Sequence, residues 1–498
     1  MSLQIYNSLT RKKETFKPIT QGYVGLYVCG PTVSGESHLG HARPYVTFDV
    51  VYRYLTHLKY KVRYVRNITD AGHFEEEGRE AEDKISKKAT IEKLEPMELV
   101  QKYTNLYHWA MLQLNNIEPS IEPTATGHIV EQINMIEKII ADGYAYAING
   151  SVYFDVEKYN TDFSKKGLPY GILSGRVLED MLETTRELDN QEEKRNKADF
   201  ALWKNAPPEH IMRWKSPWGE GFPGWHIECS AMSTKYLGDE FDIHGGGMDL
   251  QFPHHECEIA QSTVCNHKSP ARYWMHNNMI TINGRKMGKS YNNVIKLSEL
   301  FSGNHPMLAQ AYHPMVIRFF ILQTHYRSTL DFGNEALQAS EKGLKRLFDA
   351  YENLQKLETT NQKSEDAELE KNILHLLDEL DEFMNDDFST AKVLANIFEL
   401  VPTINALKNK QLPANALSSS VITLMQQKLK LFVEDILGLQ NTNAANNKAD
   451  GVIQILINLR KEAKAKKDFV TSDKIRNDLA AIGVQLKDEK DGSISYSL

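Results

Sequence analysis

A chain of 498 residues is too long for a single hydrophobic core, so we expect two to four domains. Its 41% apolar and 25% charged residues are typical of a soluble globular protein, and no run of 18 apolar residues predicts a membrane span. The net charge of −8 argues against a general polyanion binder, so a nucleic-acid partner would have to meet local basic patches.

The start of the chain and its cysteines bear on location. Residues 1–16 carry charge but no apolar signal segment, which argues against secretion. Four cysteines cannot form a disulfide scaffold for a chain of this size, and in a reducing compartment they indicate metal binding or catalysis. We therefore expect a cytoplasmic protein without a membrane partner.

The first elements along the chain predict a strand–helix–strand unit. Residues 22–30 are β-rich, and apolar residues from Val46 to Leu58 then recur with helical spacing. The following "KVRYVRNI" alternates in the manner of a strand. This order is typical of the beginning of a doubly wound α/β nucleotide-binding fold.

The middle of the chain predicts an interruption of that fold. Residues 151–215 are mixed and polar, which fits an insertion, and residues 216–250 are rich in Gly, Pro and Trp. Such Gly- and Pro-rich loops line sites or brace turns, and the sequence does not separate the two roles. The stretch "MITINGRKMGKS" (279–290) predicts a short strand, an Asn-Gly turn and a basic loop.

The last third predicts a helix bundle and a small final domain. Leu344, Leu347, Phe348, Tyr351, Leu354 and Leu357 would form one apolar helix face between about 335 and 438. An Asn-rich linker (440–451) follows, and then a basic helix, "NLRKEAKAKKDFVTSDKIRNDLAAIG", with probable strands after it. Nucleic-acid binding is one interpretation of this helix, but a solvated basic face is the one that the sequence favours.

Two short motifs suggest phosphate binding. His38 and His41 lie where the first strand gives way to the first helix, and unpaired backbone N–H groups favour a phosphate there, with Gly40 allowing close approach. Lys286 and Lys289 could clamp a polyphosphate and stabilise its developing charge. Each motif has a plain alternative: the histidines could cap or pack the helix, and the lysines could stand on a solvated loop.

The stretch "FPHHECEIA" (252–260) suggests half of a metal site. His254 and Glu258 are four residues apart on one helix face and could bind the same ion. Cys257 competes for that face, and spacing does not choose between Cys257 and Glu258. A tetrahedral site needs two more ligands, and the alternative is a polar helix with a buried cysteine.

Together these motifs resemble the cysteinyl-tRNA synthetases, a class I family, over nearly the whole chain. "YVCGPTV…SHLGHAR" is similar to that family's first strand and HIGH motif, and "KMGKS" is similar to its KMSKS loop. "SPWGEGFPGWHIECSAM", "FDIHGGGMDLQFPHHECEIAQS", "YWMH" and "HYRSTLDF" occur in the family's order. The ordered set is far more specific than any one motif.

The resemblance implies one Zn²⁺ per chain that binds the thiolate of substrate cysteine. The ligands would be Cys29, Cys229, His254 and Glu258, with Cys257 left out. Zn²⁺ prefers sulfur to a hydroxyl, so coordination separates cysteine from serine where a hydrophobic pocket would manage only about 1–3 kcal/mol. Zinc would then select the substrate and would not be a hydrolytic catalyst.

The implied reaction is ATP-dependent ligation of L-cysteine to tRNA(Cys) through cysteinyl adenylate, with Mg²⁺ accompanying ATP. The implied catalytic residues are His38, His41, Lys286 and Lys289. The implied ATP-binding residues are these four together with Gly40 and Ser290. The implied amino-acid pocket consists of Thr69, Trp225, His244 and Asp249.

The resemblance also implies a domain organisation for a monomer. A Rossmann-type catalytic domain would span 1–120 and 210–330, with a connective insertion at 121–209. A tRNA-binding helical bundle (331–439), a linker (440–450) and an anticodon-binding α/β domain (451–498) would follow. Two features depart from the family: Gly288 replaces a serine, and residues 71–84 are longer and more acidic than usual, so no role is transferred to them.

Two rival functions use some of the same residues. A ligase that joins cysteine to an amino sugar would use the same adenylate and the same zinc, but such relatives lack the long C-terminal region of this chain. A zinc hydrolase built on "HHECE" would have an open metal site with activated water and no dependence on ATP. Cysteine-dependent exchange of pyrophosphate into ATP would separate the hydrolase from the synthetase.

Overall fold

The computed structural model describes residues 2–72, 84–178, 193–207, 210–288, 291–358, 363–441, 455–464, 466, 468–481, 484–488 and 494–497. The chain forms two compact units, Met1–Leu439 and Gln440–Leu498. No helix among the described residues is both long enough and apolar enough to cross a membrane.

The helices and strands of the first unit follow one another in an order that alternates early and becomes all-helical late. Its strands are β1 (Gln4–Asn7), β2 (Lys12–Thr15), β3 (Tyr23–Val28), β4 (Lys61–Arg66), β5 (Ala145–Ile148), β6 (Ser151–Phe154), β7 (Phe200–Asn205), β8 (Trp214–Ser216), β9 (Gly219–Pro223), β10 (Phe241–Gly247), β11 (Ala271–Asn277), β12 (Ile280–Ile282), β13 (Arg285–Lys286) and β14 (Leu330–Phe332). Its main helices are α1 (Leu39–His57), α2 (Lys84–Glu92), α3 (Pro96–Gln113), α4 (Ile129–Ala141), α5 (Val156–Phe163), α6 (Trp225–Leu237), α7 (Glu256–Asn266), α8 (Leu297–Ser302), α9 (Pro314–Leu322), α10 (Asn334–Gln355), α11 (Ala367–Asn385), α12 (Thr390–Lys408) and α13 (Ser419–Lys430).

A four-stranded parallel sheet in the order β11-β10-β3-β4 is the centre of the first unit. Helix α1 connects β3 to β4, which confirms the predicted strand–helix–strand unit and the α/β class. Its apolar residues, among them Val46, Val51 and Leu55, are fully buried. The strand order reverses between β3 and β10, and ligands of such sheets bind at the carboxyl ends of the strands at this kind of reversal.

A five-stranded antiparallel sheet in the order β5-β6-β7-β9-β8 interrupts the parallel one. Asn149 and Gly150 join β5 to β6, and their φ values of 50° and 81° are those of a tight hairpin turn. The predicted insertion, 121–209, includes β5 to β7, while β8 and β9 of the same sheet lie beyond its predicted end. Strand β9 leads directly into α6.

A three-stranded sheet in the order β13-β12-β14 carries the KMGKS motif. Strands β12 and β13 form the hairpin that the Asn-Gly pair predicts, and Asn283 and Gly284 have φ values of 49° and 75°. Strand β14 runs parallel to β12 on its other side. The motif begins at Lys286, the last residue of β13, so the small sheet determines where the motif starts.

The helices α10 to α13 pack together at the end of the first unit. The predicted apolar face of α10 is buried at Leu344, Leu347, Phe348, Tyr351 and Leu354. Between α11 and α12, Asp387 and Phe388 have φ values of 63° and 55°, so this tight turn uses the left-handed region twice.

The second unit is small and has its own apolar core. It consists of α14 (455–464), α15 (Phe469–Ala481) and the antiparallel pair β15 (Gln485–Asp488) and β16 (Ile494–Ser497). The prediction of one continuous basic helix is wrong, because Lys466 and Asp468, which are described between α14 and α15, are not helical. Asp468 accepts a hydrogen bond from Thr471 N at 3.1 Å, which caps the start of the second helix.

Candidate active site

The candidate site lies at the carboxyl ends of β3 and β10, where the strand order reverses. Cys29 follows β3 directly, and its backbone N–H donates to Gly245 O of β10 at 3.2 Å. Helix α6 brings Cys229 to the same edge. The turn before α7 and the first residues of α7 bring His254 and Glu258 there. Side chains up to 229 residues apart in the chain therefore meet at one point.

The four predicted metal ligands lie together and are buried. The Sγ atoms of Cys29 and Cys229 are 3.9 Å apart, and Glu258 Oε1 lies 3.8 Å from Cys29 Sγ and 3.1 Å from His254 Nε2. All four donor atoms fall within 4.8 Å of one another, and no ligand is more than 8% exposed. Two thiols, an imidazole and a carboxylate in one buried group form a donor set that fits Zn²⁺.

The structure separates the two residues that spacing left undecided. Glu258 faces the cysteine pair, whereas the Cys257 thiol lies 3.4 Å from the Tyr170 hydroxyl, within the apolar cluster of the inserted sheet. One helical step turns a side chain by about 100°, so neighbouring residues of α7 face different surroundings. Cys257 is absent from both groups of clustered donor atoms that the described residues contain.

A second group of donor atoms overlaps the first and includes a residue that the sequence did not single out. His255 Nε2 lies 3.3 Å from Cys29 Sγ, and His244 Nε2 lies 2.8 Å from Glu258 Oε2. Burial and the neighbouring imidazoles lower the pKa of His255 well below its ordinary value, so its ring is neutral. The i, i+3 spacing of His255 and Glu258 could have suggested that both bind one ion. Their partner Cys29 follows β3, so this spacing did not reveal it.

Outer contacts hold these imidazoles in place. His255 Nδ1 lies 2.8 Å from His276 Nε2, and His276 Nδ1 lies 2.8 Å from Ser8 Oγ. On the other side, His226 Nδ1 lies 3.0 Å from His254 Nδ1. Hydrogen bonds of this kind fix ring orientation around metal ligands.

The electrostatics of the group favour a cation. The thiol of Cys29 forms a hydrogen bond with the Cys229 sulfur. This hydrogen bond, together with the nearby His254, lowers the pKa of Cys229 to about 6. Burial raises the pKa of Cys29 well above its ordinary value. Burial would also raise the pKa of Glu258, but His244 and His254 hold it at about 2. One thiolate and one carboxylate are thus negatively charged at neutral pH. Burial lowers the pKa of His254, but these two charges raise it to about 10, so its imidazolium offsets one of them and the group keeps a net negative charge.

Of the four residues predicted to form the amino-acid pocket, three lie beside the proposed metal ligands and one lies on an exposed turn. The ring centroids of Trp225 and His254 are 4.5 Å apart, and His244 bonds to Glu258. Thr69 Oγ1 donates to Glu228 Oε2 at 2.9 Å, beside Cys229 in the chain. Asp249, in contrast, is exposed on the turn that follows β10.

The HIGH-like motif forms the start of α1. The His38 and His41 rings stack with their centroids 3.8 Å apart, and His41 Nδ1 accepts the backbone N–H of His38 at 3.3 Å. Capping therefore accounts for part of the role of His41. A Cβ at Gly40 would lie 2.6 Å from Met287 Cε, so this glycine allows the HIGH-like and KMGKS motifs to touch.

Asn293 holds the described part of the KMGKS motif, residues 286–288. Gly288 N donates to Asn293 Oδ1 at 2.9 Å, and Asn293 Nδ2 donates to Lys286 O at 3.1 Å. Lys286 is exposed on the hairpin. The predicted roles of Lys289 and Ser290 concern residues outside those that the structure describes.

Comparison with known proteins follows the same division. A model of the class I (C) tRNA synthetase catalytic domain matches residues 15–342, and a DALR domain model matches residues 379–441. The cysteine--tRNA ligase of Bacteroides thetaiotaomicron is 58% identical over 495 residues and 98% of each chain. That of Porphyromonas gingivalis is 57% identical over 99% of this chain and 98% of its own.

Solved structures with similar folds are more distant in sequence. Mycobacterium tuberculosis methionyl-tRNA synthetase in complex with methionyl-adenylate has a TM-score of 0.58 at 12% identity, over 85% of this chain and 92% of that one. This likeness concerns the fold alone. The identity to the bacterial relatives decides the family: this chain belongs to the cysteine--tRNA ligases, within the class I tRNA synthetases.

Proposed function

We propose that this chain ligates L-cysteine to tRNA(Cys) at the expense of ATP, through cysteinyl adenylate. The observation that carries the proposal is the buried Cys29–Cys229–His254–Glu258 group at the same sheet edge as the HIGH-like motif, in a chain of this family. The alternative of an amino-sugar ligase is not favoured, because the cysteine--tRNA ligase relatives match 98% of the chain, C-terminal region included.

We infer that Cys29, Cys229, His254 and Glu258 hold one Zn²⁺. When bound, zinc supplies a bond to the thiolate of cysteine that the hydroxyl of serine does not match. The protein's part is to keep the ligands in place: His244 holds Glu258, and His226 holds the ring of His254. Trp225 covers the imidazole of His254 and would exclude water from the bound amino acid.

Adenylate formation falls to the two phosphate motifs. A carboxylate oxygen of cysteine bonds to the α-phosphorus of ATP, and the bond from that phosphorus to the bridging oxygen breaks, releasing pyrophosphate with its Mg²⁺. His38 and His41 would stabilise the phosphates, and Lys286 and Lys289 would neutralise the departing pyrophosphate. The terminal adenosine of tRNA then attacks the acyl carbon through a ribose hydroxyl, and AMP leaves.

We assign tRNA binding to the helical bundle and the C-terminal unit. A groove of about 450 Å³ between α10 and α12 is lined by four basic residues, one acidic residue and three asparagines: Lys342, Lys345, Arg346, Lys408, Asp349, Asn353, Asn405 and Asn409. The groove gathers four basic side chains on a chain whose net charge is −8. A local basic groove is what a phosphate backbone requires. Residues 451–498 would read the anticodon.

We further propose that the protein acts as a cytoplasmic monomer. Four cysteines remain free thiols and all four are buried, as suits a reducing compartment. Sedimentation of the purified protein would test the oligomeric state, and a mass of two chains at micromolar concentration would contradict the monomer.

Pyrophosphate exchange and tRNA charging together test the function. The full chain should exchange pyrophosphate into ATP with cysteine but not with serine. Removal of residues 451–498 leaves residues 1–450, which contain the whole compact unit Met1–Leu439, and should keep exchange while lowering tRNA(Cys) charging. Absence of exchange would refute the synthetase, and unchanged charging would refute the anticodon role of the last domain.

A further inference from the structure

Arg43 is a buried cation that has no anionic partner among the described residues. It lies in α1, two residues after His41, and is 1% exposed. Its guanidinium donates to backbone carbonyl oxygens: to Met279 O at 2.6 Å, to His325 O and Tyr326 O at 3.3 Å each, and to Ser328 O. Burial lowers its pKa to about 10. A side chain that costs this much to bury, and that grips only backbone, fixes the position of that backbone.

The carbonyls that Arg43 binds belong to the two segments leading into the small sheet. Met279 immediately precedes β12, and residues 325–328 precede β14 by one residue. Asn278 reinforces the junction, since its N–H donates to Tyr326 O at 2.8 Å and its Nδ2 donates to Arg327 O at 2.9 Å. Arg43 therefore ties both incoming strands of the sheet that carries KMGKS to the helix that begins at the HIGH-like motif.

The same turn is anchored on its far side by the bundle. Asp387 accepts hydrogen bonds from the Tyr326 hydroxyl and from Arg327 Nε, both at 2.7 Å. The turn at residues 325–328 is thus fixed by the bundle, and Arg43 connects α1 to this turn.

Arg318 is a second buried arginine, and it differs from Arg43 in the elements that it connects. It is also fully buried and bonds to backbone carbonyls, those of Leu437 at 2.7 Å and Leu114 at 2.9 Å, but it has an ion-pair partner in Asp49. Its bonds connect α9 and α1 to the end of the bundle and do not involve the small sheet. The two residues are therefore a matched pair for experiment.

We propose that Arg43 is a positioning residue for the β12–β13 hairpin and for Lys286, the first residue of the KMGKS motif. Its guanidinium holds the β12–β13 hairpin at a set place relative to His38 and His41, so that Lys286 reaches the phosphates those histidines bind. The proposal rests on the proposed role of both motifs in ATP activation. Lysine cannot replace this arginine, because a single ammonium group cannot span four carbonyl oxygens that a planar fork reaches together.

The first test is a double-mutant cycle measured by cysteine-dependent pyrophosphate exchange. Arg43→Lys should lower kcat roughly 10- to 100-fold, as misplacement of a catalytic group does, and leave the KM for cysteine within about twofold. In a Lys286→Ala background, Arg43→Lys should cost less than about threefold, because the group it positions is already absent. Arg318→Lys should instead combine additively with Lys286→Ala. Additive effects for Arg43→Lys would overturn the proposal.

The second test does not depend on activity. Arg285 and Lys286 are exposed on the hairpin, so trypsin can reach them in the native protein. Arg43→Lys should raise the rate of cleavage at these two residues at least about fivefold through local opening, while Arg318→Lys should leave it unchanged. Equal cleavage in both variants would refute the role of Arg43 even in an active enzyme. If the wild-type protein showed no exchange activity but Arg43→Lys still raised the rate of cleavage, the positioning role of Arg43 would be supported and the proposed function would be refuted.

Discussion

The predicted zinc ligands and the predicted phosphate-binding lysine belong to regions built in opposite ways. Cys29, Cys229, His254 and Glu258 stand at the ends of strands and helices around the parallel sheet, and each is almost completely buried. Lys286 stands on a two-residue strand outside that sheet and is exposed. The first region is held by bonds on every side, and the second is held by Asn293, by Arg43 and by the contact of Met287 with Gly40.

This difference would suit the different tasks that we propose for the two regions. Discrimination between a thiol and a hydroxyl requires donor atoms that do not move, because a loose site would accept either. ATP and pyrophosphate would have to enter and leave, which an exposed hairpin with few fixed contacts allows. The comparison predicts that changes in the buried region act on metal and substrate choice, and that changes in the exposed region act on rate.

The largest effect is expected from Glu258→Gln, which removes a ligand charge and leaves the shape almost unchanged. Metal content should fall to background, and cysteine-dependent exchange should fall well over 100-fold, because even outer partners of metal ligands are worth about 10- to 100-fold. Metal analysis of the purified variant measures the first, and exchange kinetics measure the second.

The matched control is Cys257→Ser, the neighbouring residue whose thiol contacts Tyr170. It should keep its metal and at least half of the wild-type rate. Loss of zinc from Cys257→Ser together with its retention in Glu258→Gln would reverse the ligand assignment and remove one side of the comparison.

The next largest effect is expected from Lys286→Ala. Because its charge is proposed to act on the departing pyrophosphate, kcat for exchange should fall about 100-fold, with zinc content and cysteine KM unchanged. Single-turnover measurement of adenylate formation separates this from a binding defect. A loss confined to cysteine KM would show that the exposed region takes part in selection, contrary to the comparison.

A smaller effect is expected from Asn293→Ala, which removes the bonds to Gly288 N and Lys286 O. The loop would lose its internal brace, and exchange should slow about 10-fold through poorer positioning. Tyr291→Phe, an exposed neighbour on the same loop, serves as the control and should be close to wild type. A wild-type rate for Asn293→Ala would mean that Arg43 and the small sheet suffice to place the loop.

The smallest effect is expected from Glu36→Gln, which breaks the half-exposed ion pair to Lys296 beside the HIGH-like motif. Burial acts to raise the pKa of Glu36, but hydrogen bonds from Ser298 and Lys296 lower it below its ordinary value of 4.5. A carboxylate whose pKa is lower in the folded state stabilises the fold at pH values above its unfolded pKa. This stabilisation is lost as the pH falls through the lowered pKa of the folded state.

Urea unfolding should therefore show Glu36→Gln to be less stable than wild type at pH 7 by under about 1 kcal/mol. The difference should shrink below pH 4.5 and in high salt. A difference that grew on acidification would contradict the assigned sign.

The sequence predicted those parts of the structure that carry a local signal. The β3–α1–β4 unit has an apolar period, the β12–β13 hairpin has an Asn-Gly pair, and α10 has a continuous apolar face. The break before α15 was missed because a basic run hides the capping role of Asp468. The membership of β8 and β9 in the inserted sheet depends on the pairing of β9 with β7 and of β8 with β9, and no local pattern encodes the first of these.

The sequence predicted only the part of the candidate site that lies on one face of α7 and the turn before it. Spacing placed His254 and Glu258 together, and only the family resemblance supplied Cys29 and Cys229, which lie far away in the chain. His255 was missed because its partner Cys29 approaches from β3, not from its own helix. Arg43 carries no sequence signal, since its role depends on where four carbonyl oxygens meet.

The distance between Cys29 and Cys229, 200 residues along the chain, has a consequence for biosynthesis. No fragment that ends before residue 258 contains the full ligand set, and the inserted sheet lies in between. A ribosome-bound chain would therefore present separate thiols that bind zinc weakly, and tight binding would begin only after the domain closes around α7. Because the ion would bind the folded state alone, zinc starvation during synthesis should reduce the yield of native protein.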